Sequence, residues 1–471
     1  MIENPPLIQI KKKSSRKKPS QEQIDGFKNI PTGFICDALN GYAALDPSIK
    51  PLSIPGKKVK QIVGPALTVF SGAADVLGMA IALSEIQPGD IVVNGVSGFQ
   101  GTAAVGDRIA GIGYDEALDN NRKAFKQIYL VPKYLKGTVN PNLKTKLFGN
   151  EYDSPFGVAP VGMTSLMWPG AEIALAKMSL KNNIPYSLST VACASVEEVG
   201  KHLDGHGWFQ LYPPADKAIR NDLLKRAKNS GFKTLIITAD IPASSRRERL
   251  RMAGVSVPPK NNLRTFFQAA ICPSWSLGTL INGIPAFGTM DQYSDGTWHG
   301  NAKSKAGFAG SQMQRYLDWN YLQEVRDIWK GPIILKGLMH VDDAVKATSY
   351  VDAIYLSNHG GRQIDIAPSP LQILPLVRKK VGSKFPIIID SGFYSGQDIS
   401  KGLMLGADFV MTGRPFIIGL AALGKKGANH VHDILKDELS NIMEQICTKD
   451  IKELKSENVM LGNDFNIQNF S

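Results

Sequence analysis

The feature that most limits what this chain can fold into is a rhythm that sets in at about residue 150. Short apolar or β-branched runs alternate with segments of helical period: "FGVAP" then "GAEIALAKMSLKNN", "PYSLS" then "SVEEVGKHL", "GWFQLY" then "DKAIRNDLLKRAKNSG". "TLIITAD" follows, then "PIILKG" with "VDDAVKATS", "AIYLSN" with "SPLQILPLVRKKV", "PIIID" with "GQDISKGLMLGA", and "FVMTG" with a helical C-terminal stretch. Strands that are apolar throughout, rather than on alternate residues, belong to a parallel sheet covered by helices. Eight such units close into a barrel. The rhythm therefore predicts an α/β fold, a (β/α)8 TIM barrel.

One connection breaks the rhythm. More than 90 residues separate "TLIITAD" from "PIILKG", and part of them ("FAGSQMQRYLDWNYLQEVRDIW") reads as helix. The middle is rich in turn residues, and loops of that length are usually lids or flaps. This one is expected over the C-terminal mouth of the strands.

The strand ends deliver polar groups to that mouth. They are Pro160 on the first strand, Ser189 and Thr190 on the second, Gln210 and Tyr212 on the third, and Thr238 and Asp240 on the fourth. Lys336, Ser357 with His359, Asp390, and Gly413 with Arg414 end the remaining four. A lone histidine in a glycine turn, as in "LSNHGGRQID", is most often just polar. Polar or charged ends on nearly every one of eight strands, all on one rim, are not explained by caps and turns.

Composition narrows the class. Of 471 residues 43% are hydrophobic and 20% charged, the mix of a soluble globular protein. No apolar run nears the roughly 18 residues that cross a bilayer, and no apolar signal segment opens the chain, so a cytoplasmic protein is expected. The cysteines, Cys36, Cys193, Cys272 and Cys447, form no CxxC pair, which argues against a disulfide framework or a zinc site. The net charge of +12 is partly a tail, since residues 1–20 hold six cations against Glu3. "KKKSSRKKPS" has no interleaved aromatics to stack on bases, so no nucleic-acid partner is expected.

From about residue 113 to 455 the chain resembles the FMN-dependent α-hydroxy acid dehydrogenase/oxidase family, which includes glycolate oxidase and L-lactate dehydrogenase. "SNHGGRQID" carries the resemblance most specifically, supported by "NRKAF…VPKYL", "APVGM", "SVEEV", "WFQLY", "TADIPASSRRE", "LKG" and "GRPF". The resemblance implies FMN as cofactor and oxidation of a small L-2-hydroxy acid to the 2-oxo acid, with oxygen, a quinone or a protein as electron acceptor. It also implies a homo-oligomer, a tetramer in the family. His359 would be the base, taking a proton from the substrate's hydroxyl or its α-carbon, and Asp240 would stabilise the imidazolium. Arg247 and Arg362 would fork onto the substrate carboxylate, as a planar guanidinium can and an ammonium cannot. Tyr212 would donate to the substrate oxygen, and Lys336 would face flavin N1. Ser189, Gln210 and Thr238 would bond the flavin ring, with the backbone of Pro160, Val161 and Gly162 lying along it. Gly413 and Arg414 would hold the phosphate together with Gly392 after Asp390, and Ser357 completes the cofactor set. No metal is implied.

Three places depart from the family. Its phosphate loop ends in arginine, in a pattern like Asp-Gly-Gly-Val-Arg, whereas "DSGFYSG" has Tyr394 there. One charge-assisted contact, worth about 1.5–3 kcal/mol, is then missing, which implies a weaker grip on FMN. The family's carboxylate-binding tyrosine falls near Asp107, and the large aromatic after the second strand is Val191.

Residues 22–112 begin differently. "IPTGFICDALNGY", "IVGPALTVF" and "IQPGDIVVNGVSGFQGTAAVGDRIAG" resemble, in part, the family of RraA and the 4-hydroxy-4-methyl-2-oxoglutarate aldolases. That family's metal-binding arginine–aspartate pair is absent, so no metal-dependent aldolase activity is expected, and a packing or assembly role is. The expected domains are a basic tail (1–21), a partial RraA-like segment (22–112), the FMN barrel (113–455) and a C-terminal tail (456–471). The alternative is a flavin barrel with impaired substrate chemistry that serves as a binding or assembly protein.

Overall fold

The computed structural model describes residues 115–243, 272–283, 285–294, 317–454 and 456–465, with single residues at 20, 22, 112 and 312. It also describes the backbone of two strands at 66–71 and 91–96. The chain divides into two compact units, Met1–Phe99 and Gln100–Ser471. In the first, β1 (Ala66–Ser71) and β2 (Ile91–Val96) pair in parallel from Ala66 opposite Ile91 to Ser71 opposite Val96. The rest of 22–112, including Asp107, lies outside the described residues apart from Ile112 and Glu22.

The second unit opens with helix α1 (Glu116–Lys126), strand β3 (Ile128–Leu130) and a hairpin of β4 (Thr145–Leu147) and β5 (Asn150–Tyr152). Eight parallel strands follow: β6 (Phe156–Val158), β7 (Tyr186–Ser189), β8 (Gly207–Leu211), β9 (Thr234–Thr238), β10 (Ile333–Leu338), β11 (Ala353–Leu356), β12 (Ile387–Ile389) and β13 (Phe409–Thr412). They pair in chain order, and β13 pairs with β6 to close the ring. All eight coincide with the apolar runs of the sequence.

Helices α2 (Ala171–Lys181), α3 (Val196–Gly200) and α4 (Lys217–Asn229) follow β6, β7 and β8. In the long excursion after β9 the described residues form α5 (Pro273–Asn282), and α6 (Trp319–Ile328) leads into β10. Then come α7 (Val341–Ala347), α8 (Pro370–Val381), α9 (Gly396–Met404), α10 (Arg414–Leu423) and α11 (Lys425–Gln445). Their starts are written locally. Ser195 with Glu198, and Ser369 with Gln372, form capping boxes, while Asp216, Asp318 and Ser395 cap α4, α6 and α9.

The strands' period of two divides the core. Leu188, Phe209, Leu235, Ile237, Leu335, Ile354 and Ile389 face the helices and join one apolar cluster. Trp208, Ile236, Ile334, Tyr355, Ile388 and Phe409 point into the barrel and form another. The next inward positions toward the C-terminal end are Gln210, Thr238, Lys336, Ser357 and Asp390, so five of the inward rows turn from apolar to polar at the mouth, while the row of Phe409 continues to Met411. At the opposite end the β4–β5 hairpin closes the barrel. The Tyr152 ring meets Phe409 edge-on, with centroids 5.6 Å apart, and Trp208 Nε1 donates to the Tyr152 hydroxyl.

Residues 456–465, read from the sequence as a tail, pack onto the body. Strand β14 (Val459–Leu461) pairs antiparallel with β3, and Phe465 is buried.

Candidate active site at the barrel mouth

The turn after β11 aims the candidate base. His359, Gly360 and Gly361 all have left-handed backbones, with φ of 56°, 67° and 75°. For a histidine that conformation costs about 1–2 kcal/mol. The turn is fixed by its neighbours: the Ser357 hydroxyl accepts from His359 N, and the Ser391 hydroxyl accepts from Gly360 N. Helix α1 packs directly on it, since a Cβ on Gly361 would lie 2.8 Å from Leu118 N. Asn121 of α1 and Asn358 exchange two side-chain hydrogen bonds, 2.7 and 3.0 Å long. Glycines beside the histidine thus let the chain bend left and let α1 lie against the bend.

The imidazole is held from both sides. Its Nδ1 lies 3.0 Å from Asp240 Oδ1, and its Nε2 lies 3.4 Å from the Tyr212 hydroxyl. A carboxylate on Nδ1 selects the tautomer protonated there and leaves Nε2 as acceptor. Asp240 fits because residue 337 is glycine, where a Cβ would fall 2.6 Å from the aspartate's carboxyl carbon. Burial lowers the His359 pKa below the ordinary imidazole value, and Lys336 and Arg362 add to that, although Asp240 opposes it. Burial alone would raise the Asp240 carboxyl, but the charges of His359 and Lys336 hold it below the usual carboxylate range. The pair therefore rests as neutral imidazole and carboxylate near pH 7, the state required of a base with its orienting partner.

Across the mouth lies a bed of polar groups. Ser189 donates to Gln210 Oε1, and Gln210 Nε2 donates to Thr238, linking β7, β8 and β9 in one chain. Lys336 donates to the Ser357 hydroxyl at 2.8 Å and lies 3.6 Å from Asp390. Burial alone would lower this lysine's pKa, but Asp390 and Asp240 outweigh it and keep the ammonium charged. Asp390 is itself held by the Tyr355 and Ser391 hydroxyls.

These groups line a cleft of about 240 Å³ whose wall includes Pro160, Val161, Gly162 and Gly413. His359, Tyr212 and Arg362 stand in the same cleft, as do Asp390, Gly392 and Arg414. Ser189 and Ser357 lie behind it, their hydroxyls turned to Gln210 and Lys336. Arg247 lies outside the described residues. The residues present fit FMN. Arg414 Nη2 donates to Gly360 O, while its buried Nε has no hydrogen-bond partner among the described residues. It opens helix α10, whose N-cap Gly413 makes no side-chain cap, and an uncapped helix start beside a guanidinium suits a phosphate. The buried, charged Lys336 suits the electron-rich edge of a reduced ring.

Asn121, Tyr355 and Gln363 were not legible as site residues. Tyr355 sits in an apolar strand run, and Gln363, which donates to Asp240 O, had only its place in the motif to mark it. Val191 lines the cleft where the family has a larger ring.

Known proteins resemble this chain in sequence and fold. The sequence model of a family described as FMN-dependent dehydrogenase matches residues 107–461. The L-lactate dehydrogenase of Ectopseudomonas mendocina (strain ymp) is 34% identical over 347 residues, 73% of this chain and 90% of that one. The (S)-mandelate dehydrogenase of Pseudomonas putida is 33% identical over 353 residues, 74% and 88% of the two chains. A solved structure described as monotopic membrane protein (S)-mandelate dehydrogenase matches with a TM-score of 0.71 and 30% identity, covering 77% of this chain and 95% of that one.

Proposed function

The chain belongs to the FMN-dependent dehydrogenase family, and from that premise we propose that it oxidises an L-2-hydroxy acid to the 2-oxo acid. The observation that carries the reading is the neutral His359, 3.0 Å from the Asp240 carboxylate, in one cleft with Arg362 and the charged Lys336. When bound, FMN supplies the acceptor for the two electrons that leave the substrate. Arg362 holds the carboxylate, His359 Nε2 takes the proton, and Asp240 stabilises the imidazolium that results. Tyr212, beside Nε2, donates to the substrate oxygen. The alternative of a barrel with impaired chemistry finds no support in a cleft that holds base and cations together, with the orienting carboxylate behind the base.

Anaerobic mixing with a panel of 2-hydroxy acids, followed by flavin absorbance, tests this. At least one acid should bleach the flavin, and His359→Ala should slow that step by on the order of 10²–10⁴ with FMN still bound. Arg362→Lys should raise the substrate concentration needed. A flavin that no acid reduces, or unchanged kinetics in His359→Ala, would sink the reading.

The acceptor and the assembly belong to the proposal as well. We read helix α5 as resting on a membrane surface of the cytoplasmic side, where a quinone would be at hand. Leu277, Leu280 and Ile281 on it are exposed, and the sequence from 249 to 290 contains no Asp or Glu. Among the described residues no helix is long and apolar enough to cross a membrane. Homo-oligomer formation is supported by exposed Ile364 and Ile366 beside the active-site turn. For residues 22–112 we keep the partial RraA-like reading and an assembly role. β1 and β2, which pair in parallel, are both drawn from the motifs that carry that likeness.

A further inference from the structure

We propose that Arg122 holds the phosphate of FMN in place of the arginine that Tyr394 displaces. The proposal rests on the FMN reading above and adds a binding residue to it. A tyrosine brings no charge to a phosphate, so the loop after β12 lacks a cation of its own. The structure puts one beside it from another element. Arg122, on α1, lies with its guanidinium carbon 5.2 Å from the centroid of the Tyr394 ring and 5.0 Å from that of Phe125. Tyr394 has become a platform for a guanidinium instead of a source of one.

The placement is fixed rather than incidental. Arg122 Nη1 donates to Gly392 O and to Asp398 Oδ2, the latter at 2.7 Å, and the same Asp398 oxygen accepts from Tyr394 N. One carboxylate therefore ties the arginine to the loop on which it is stacked. Nε and Nη2 of Arg122 have no partner among the described residues, and the side chain is 40% exposed. Arg122 lines a second cleft of about 210 Å³ together with Asp119, Gly392, Tyr394 and Arg414. The last three also line the main cleft, so the two meet where Arg414 waits with an unpartnered Nε. The second cleft holds the guanidinium groups of Arg122 and Arg414 beside the Asp119 carboxylate, and Asp398 already takes Nη1 of Arg122. What Arg122 offers a phosphate monoester is therefore the donor pair Nε and Nη2, a planar fork suited to two phosphate oxygens.

The test separates the phosphate from the ring. FMN and riboflavin share the isoalloxazine and differ in the phosphate, so the ratio of their dissociation constants measures the phosphate contact alone. Apoprotein is titrated with each by flavin fluorescence. Arg122→Ala should lower the preference for FMN by on the order of tenfold or more and leave riboflavin affinity in place. Arg122→Lys, which keeps the charge but not the fork, should fall between. Tyr394→Arg added to Arg122→Ala should restore the preference. An unchanged ratio in both Arg122 variants would overturn the proposal. So would equal weakening of both flavins, the mark of an arginine that only braces Asp398 and Gly392. Binding of neither flavin by the parent chain would overturn the FMN reading itself, and this proposal with it.

Discussion

At the scale of single residues, the site is a problem in keeping an imidazole uncharged beside a carboxylate. Burial, Lys336 and Arg362 push the His359 pKa down, and Asp240 pushes it up, with a net lowering. A base works only unprotonated, so kcat/KM for flavin reduction should rise with pH through an acid limb below the ordinary histidine value of about 6.5 and stay level above it. Asp240→Asn removes the one group that opposes the lowering. Its acid limb should move to still lower pH, while the plateau falls by on the order of a hundredfold or more because the imidazolium formed is left unpaired. A limb above about 6.5 in the parent, or one that moves upward in the variant, contradicts this account. The same residues mark how far a sequence can be read. Asp240 and Lys336 stood at strand ends and were legible there. The stacking of Arg122 on Tyr394 was not, because it joins residues more than 270 positions apart through a fold that had first to exist.

At the scale of elements, the eight barrel strands were legible because each is apolar on both faces and most end in a polar position at the mouth. The β4–β5 hairpin and the β3–β14 pair were not, since strands of three residues carry too little periodicity to stand out. The long excursion was legible as a long connection, and its described parts are fastened to the barrel and its helices. Trp275 Nε1 donates to Leu166 O in the turn after β6, and Gly288 N donates to Cys193 O after β7. Arg226 of α4 donates to Thr289 O and to the Tyr293 hydroxyl while pairing with Glu197 of α3. With both ends of this stretch held, the exposed leucines of α5 are presented rather than loose. Cosedimentation with vesicles containing anionic lipid should therefore capture the full chain, and Leu280→Glu with Ile281→Glu should cut the captured fraction severalfold without loss of FMN. Equal capture of parent and variant would remove α5 from any membrane role.

At the scale of the whole molecule, the flavin machinery lies within Gln100–Ser471, and residues 1–99 form a unit of their own. The described strands of that unit, β1 and β2, form a parallel pair, and the assembly role proposed for the segment has a direct test. Deletion of residues 1–99 should leave a yellow protein whose oligomeric state by sedimentation differs from that of the full chain; an unchanged state would rule out an assembly role. The hairpin that closes the lower end of the barrel has a kinetic consequence. With Trp208, Tyr152 and Phe409 stopping that end, the described residues leave the mouth side for hydroxy acid, oxo acid and a small electron acceptor to come and go. They are expected to do so by turns, the first product leaving before the acceptor comes in. Initial rates at several fixed acceptor concentrations should then trace parallel double-reciprocal lines, the pattern of a two-stroke cycle, and lines that converge would mean that both reactants can occupy the vessel at once.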